Sequence, residues 1–219
     1  FSTSVPQAAA LLKVSPTTFL DFLGQQSTWV FFVTVYVGSG LIANDRRANA
    51  LQIYLSKPLM RSEYIFGKLA VLMVFLLLVT GVPGLLLLLL QILFTGDLTF
   101  FRGNSHLLPA IALFSFVQAL TFSSTMLALS SLSKSSRYVA ILYAAVIFLT
   151  QAIYAVLRQV TGGTDFAWIS LSADLTQIGS AIFRVPLQYT TPWPLSLAVI
   201  AGLIVLSGCR DGILPRTLA

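Results

Sequence analysis

Charge is what this chain has least of. Asp, Glu, Lys and Arg make up 9% of its 219 residues, where a water-soluble domain carries about 25%. That shortfall excludes an ordinary globular domain in water. Cysteine is nearly absent too. Cys209 is the one thiol, so no disulfide forms within the chain, and at the end of the last apolar run it reads as a small packing side chain. Histidine occurs once, as His106. No acid is placed to orient it and no GxSxG elbow precedes it, which leaves a hydrolytic triad without its parts. His, Cys, Asp and Glu nowhere take metal-ligand spacing. Gly67-Lys68 has no glycine five residues before the Gly and is followed by Leu69, so the chain does not bind ATP through a P-loop. The basic residues do not gather on a polar face as in a nucleic-acid reader, and no nucleic-acid partner is expected. The chain opens Phe1-Ser2-Thr3 with no basic segment leading into an apolar one, so no signal peptide is read in it.

What is present in excess is apolar sequence: 57% of the residues are hydrophobic. The apolar residues come in long unbroken runs. Strands of an outer-membrane barrel would alternate instead, so the spans are helices. The fold class expected is an all-α integral membrane protein, a polytopic helical bundle in a single domain, 1–219. Five spans are expected, at 28–43, 65–94, 108–132, 138–157 and 193–209. Ser15-Pro16 reads as the cap and first residue of an interfacial helix leading into the first span, with Phe19, Phe22 and Leu23 as its apolar stripe. Pro83, inside Gly81-Val82-Pro83-Gly84, predicts a kink in the second span. Trp193 is placed to anchor the fifth at an interface.

Lys and Arg set the orientation. Arg46, Arg47, Lys57, Arg61, Lys68, Lys134, Arg137, Arg210 and Arg216 fall on one side. Lys13, Arg102, Arg158 and Arg184 fall on the other. The richer side is expected to be cytoplasmic, which puts the C-terminus inside and Phe1 outside. An outside start suggests a further span upstream, making six. Asp21, Asp97, Asp165 and Asp174 are then external. The external segment 160–192 has apolar residues near helical spacing at Ile169, Leu171, Leu175, Ile178, Ile182 and Phe183, with Ser172 able to cap. It is expected to form a helical hairpin, either re-entrant or resting on lipid headgroups.

Inside the spans ionisable groups are scarce, whereas proton- and ion-coupled carriers need them there. The largest polar residues are Gln118 and Gln151, joined by Ser115, Thr121, Ser123, Ser124 and Thr125 in the third span. Pro83, Gln118 and Gln151 are candidates for a path or gate; interhelical hydrogen bonding is the plainer role for the two glutamines. Ala198 and Gly202 form a small-xxx-small pair in the fifth span, where helix packing is the default.

The loop between the first two spans, 44–64, is longer than the usual four to six residues or so of a connection. Leu51, Tyr54 and Leu55 lie at i, i+3, i+4, Pro58 breaks the segment, and Arg61-Ser62-Glu63-Tyr64 restarts it. A connector snorkelling its arginines to lipid phosphates would also look like this. The series Asp45-Arg46-Arg47, Leu51 to Leu55, Ser56-Lys57-Pro58-Leu59-Met60-Arg61, Glu63-Tyr64 and Gly67-Lys68 resembles the cytoplasmic loop of ABC-2-type transporter permeases. The span pattern, the short basic turn before the penultimate span and the external hairpin are similar as well. Asn49-Ala50-Leu51 stands where that family commonly has Gly-Thr-Leu.

The resemblance implies a permease of the plasma membrane of a bacterium or archaeon. It would pair with a second permease copy or a similar permease, and with two copies of an ABC ATPase. Residues 45–54 would form a coupling helix in the ATPase cleft, with Asp45, Arg46, Arg47, Leu51, Tyr54, Leu55, Pro58, Arg61 and Glu63 as docking residues. The chain itself would hold no cofactor, since ATP and Mg belong to the partner, and it would not be an enzyme. A hydrophobic or amphipathic substrate would be exported. Two other readings stay open: a scaffold or sensor that docks an ATPase without transport, and a lipid-acting enzyme using His106.

Overall fold

The computed structural model describes residues 15–48, 61–95, 105–133 and 135–210. Among these, the regular structure is helical. Ser15 has extended backbone, with φ −114° and ψ 166°, and its N–H donates to Thr18 Oγ1 at 3.3 Å. Pro16, whose missing N–H costs nothing in a first helical turn, then opens α1, Pro16–Gln25. Gln26 keeps right-handed helical backbone and bonds both ways, to Phe22 O at 3.2 Å and from Val30 N at 2.9 Å. The chain therefore passes into α2, Ser27–Val33, with little interruption. A turn of π-helix, Thr34–Gly38, follows, and then α3, Ala43–Arg47.

This corrects the expectation of a separate interfacial helix. The whole stretch Pro16–Asp45 is one candidate span of 30 residues. Phe19, Leu20 and Leu23 face protein rather than headgroups, in a cluster with Leu88, Leu107, Ile111, Phe114 and Phe183.

The remaining long helices are α4, Arg61–Thr95, α5, Leu107–Ser130, and α6, Ser136–Thr161. Pro83 lies inside α4, which stays helical on both sides of it. Gly84, next to it, lies against α1 and α5: a Cβ there would stand 3.0 Å from Ile111 and 3.1 Å from Leu23. Gly162 ends α6 in the left-handed region, φ 66°, and its N–H closes onto Arg158 O at 3.0 Å. Among the described residues, four helical stretches are thus long and apolar enough to cross a membrane.

The fifth expected span is α8, Trp193–Arg210. Its 18 residues extend about 27 Å at the rise of an α-helix, just short of a bilayer's hydrocarbon core of about 30 Å. Between α6 and α8 lies α7, Leu171–Ile182.

α5 sits at the centre, packed on α4, α8, α6, α7 and α1. The main core joins Val30 and Ile42 of the first stretch, Leu72 and Leu76 of α4, Met126 and Leu127 of α5, Tyr143 of α6 and Ile200 of α8. The hairpin's helix is not laid on a surface. Leu171, Leu175, Ile178 and Gly179 of α7 are all buried, and a Cβ on Gly179 would run into Leu20 of α1 and Phe114 of α5. Ser170, not the expected Ser172, caps this helix, accepting from Ala173 N at 3.4 Å. Ser172, the second residue of the helix, is exposed.

Candidate docking loop and polar sites of the bundle

The loop's two ends are fastened together. Asp45, in α3, accepts from the Tyr64 hydroxyl at 2.5 Å and pairs with Lys68 at 2.9 Å. Lys68 also stands 5.6 Å from the Tyr64 ring centroid, within cation–π range. Asp45 therefore ties α3 to the first turns of α4. Just above, Ser130 at the end of α5 accepts from Ile42 N at 3.2 Å and Ala43 N at 3.1 Å, and donates to Ser39 O at 3.2 Å. A single hydroxyl thus satisfies backbone groups that the irregular stretch after the π-turn leaves open.

Of the other predicted docking residues, Arg47 and Glu63 are exposed beside this base. Arg46 lies in α3 and Arg61 opens α4. Leu51, Tyr54, Leu55 and Pro58 lie outside the described residues.

The hydroxyl run of α5 is buried, but most of it serves its own helix. Thr121 donates to Val117 O at 2.8 Å, Ser124 to Thr121 O at 3.1 Å, and Thr125 to Thr121 O at 2.7 Å. Such bonds let a polar side chain sit inside an apolar bundle without an outside partner. Gln118 differs. It is 1% exposed and its side-chain oxygen has no hydrogen-bond partner among the described residues.

Gln151, the other predicted polar residue, is nowhere near it in role. It is exposed on α6 and accepts from the Ser170 hydroxyl at 2.5 Å, at the start of α7. Pro83 is on α4. The three predicted path residues therefore lie on three different helices, with Gln118 buried and Gln151 exposed.

Gln118 borders a cleft of about 530 Å³. Phe114, Gln118 and Phe122 of α5 contribute one wall; Asp21, Gly24 and Gln25 of α1 another. Ser172 and Thr176 of α7 close the third side. A second cleft, about 450 Å³ and almost wholly apolar, lies between α5, α6 and α8. Ala198 and Gly202 line it, and a Cβ on Gly202 would meet nothing within 4 Å. The small-xxx-small pair of α8 is thus not packed on another helix of this chain.

Asp174, on α7, is 1% exposed. α7 has 12 residues, a length of about 18 Å, too short to span a bilayer. Burial pushes the Asp174 carboxyl up to about 7, and the neighbouring Ser196 hydroxyl acts in the other direction. Neither carboxylate oxygen, nor the Ser196 hydroxyl, is in hydrogen-bonding geometry with any described residue. One turn on, Gln177 is fully satisfied: its amide nitrogen donates to Tyr189 O and Thr191 O, and its oxygen accepts from Tyr189 N. The segment after α7 is thereby pinned to it.

The family model for ABC-2 family transporter proteins matches residues 17–170. The chain belongs to the ABC-2 transporter family. It is a multi-pass membrane protein and a permease component of an ABC transporter, the membrane part rather than the catalytic one, whose family works with an ABC ATPase. No curated protein and no solved structure matches the chain significantly.

The ABC-2 match takes in the four long helices and the whole loop, and ends at the cap of α7. Asp174 and Ser196 therefore lie beyond it. The sequence reading missed Asp174 as a buried group and counted it among external charges. The signal was available in part: Asp174 follows Leu171 by three residues and precedes Ile178 by four, which sets it on the same helical face as two apolar residues.

Proposed function

We propose that this chain is the permease subunit of an ATP-driven exporter of a hydrophobic or amphipathic substrate. The observation that supports it best is the ABC-2 match running unbroken across the loop and the helices on both sides of it. In this reading, residues 45–54 form the coupling helix and seat in an ABC ATPase on the cytoplasmic face. Two ATPase copies serve a pair of permeases in the inner membrane of the cell.

The free energy reaches the permease as motion. ATP binding closes the ATPase pair, and the coupling helices pass the displacement to the spans as a rigid-body tilt. The Asp45–Tyr64–Lys68 knot suits that role, because it joins both helices that receive the loop. The apolar faces of α4 and α6, such as Phe75, Leu86, Ile141 and Phe148, are exposed in a single chain, as expected of lipid-facing or permease-facing surfaces.

The test is co-purification from mild detergent with the cognate ATPase. Stoichiometric recovery, lost in Tyr54→Asp while membrane insertion persists, is the expected result. An ATPase that stays bound to the Tyr54→Asp protein, or none recovered with the unaltered one, would overturn the docking assignment.

A further inference from the structure

We infer that the cleft between α1, α5 and α7 is a binding site for an amphipathic organic amine in its protonated form. Its volume, about 530 Å³, lies in the range of small-molecule sites, about 300–1,000 Å³. Among the described residues its lining has one charged group, the Asp21 carboxylate, and no Lys, Arg or His. An anionic ligand would find no counter-charge there, whereas a cation finds one at the rim. Deeper in, Phe114 and Phe122 supply aromatic surface, which suits an apolar body and favours a cation over an anion.

Gln118 lines the cleft but is 1% exposed, and its side-chain oxygen has almost no accessible surface, so the cleft ends at this residue. Gln118 lies about 16 Å along α5 from the first residue, at the rise of a helix, so the cleft reaches well into the bundle. The remaining polar wall, Gln25, Ser27, Ser172, Thr176 and Gln188, is neutral. Gly24 keeps the cleft open, since a Cβ there would meet nothing within 4 Å. Its lack of a side chain leaves room for the ligand at no packing cost.

The inference depends on the transport reading only for the ligand's role as cargo. The site itself is tested on the full-length permease alone, in lipid nanodiscs at pH 7, with radiolabelled dodecylamine as probe. Saturable binding, at one site per chain, is expected. Asp21→Asn should weaken it about ten-fold, the scale of a charge-assisted contact. Gly24→Leu should abolish it with no loss of thermal stability, since leucine is the better helix former. Laurate should not compete.

Equal uptake by the unaltered protein and Gly24→Leu would reduce the signal to partition into lipid and overturn the site. Competition by laurate would overturn the charge assignment. Either failure leaves ATPase capture untouched, and loss of ATPase capture leaves amine binding untouched, so the two readings fall separately.

Discussion

α5 and α6 follow one another in the chain, have similar lengths of 24 and 26 residues, and are both apolar enough to span a membrane. Yet 61% of the most apolar stretch of α5 is buried within the protein, against 17% for α6. The buried face of α5 is full of small and hydroxyl side chains, Ser115, Ala119, Thr121, Ser123 and Thr125, while the exposed face of α6 shows Ile141, Phe148, Leu149 and Val156. In water the apolar face of a helix turns inward. Lipid tails are as apolar as leucine, so that driving force is missing between helices in a bilayer. Close approach and hydrogen bonding decide instead. The helix at the centre of this bundle is accordingly the one whose buried face is lined with small and hydroxyl side chains.

The contrast should be greatest where the enclosed group is a carboxylate, on α7, which no residue of α6 matches. A carboxyl whose pKa rises on folding holds its proton more tightly in the folded state. Stability is then complete below the ordinary carboxylate value and falls as pH climbs through about 7. Asp174→Asn should therefore stabilise the protein above pH 7, by up to about 4 kcal/mol for a shift of roughly three units, with the gain shrinking toward pH 4. Thermal unfolding in detergent across that range reads it, and a gain independent of pH would remove ionisation from the account.

A matched pair tests the two helices directly. Ala119→Phe on α5 should cost about 3 kcal/mol by overpacking a fully buried site. Ala145→Phe, on the exposed face of α6, should cost almost nothing. Equal losses would dissolve the comparison.

Hydroxyls give a smaller version of the same test. Ser130→Ala leaves the Ile42 and Ala43 amides without their partner and should cost about 1–2 kcal/mol. Thr150→Ala on α6 removes only a bond to its own helix, to Val146 O, and should stay within about 0.5 kcal/mol. Denaturant titration of the two side by side shows whether the difference is real. Lys68→Met, at a base that water still reaches, should cost below about 1 kcal/mol, and less in high salt.

Much of the fold was legible in the sequence because unbroken apolar runs leave the backbone no choice but to bond internally. α4, α5, α6 and α8 come within a few residues of the expected spans, and Ser15-Pro16 opens a helix as read. The ABC-2 resemblance was legible in the loop's own residues. What stayed hidden depends on which neighbour a helix meets. Gln118 and Gln151 are the same residue in similar surroundings along the chain, yet one is sealed against a cleft and the other is exposed on α6. Ser170 and Ser172 could each begin α7 by composition; the contact with Gln151 falls to Ser170. The amphipathic pattern of 169–183 is compatible with a headgroup surface or a protein interior. The close fit of Gly179 against Leu20 and Phe114 decides for the interior, and that fit needs residues about 65 and 160 positions away.

The bond between Asp45 and the Tyr64–Lys68 pair turns an open strap into a stirrup. A strap hung from two separate points takes up slack before it moves anything, and it can pull one helix without the other. A stirrup closed at its neck has no slack to give. Whatever presses on the segment between α3 and α4 reaches both helices at one place and at the same moment. A load there would turn the two helices as a pair rather than draw one away from the other.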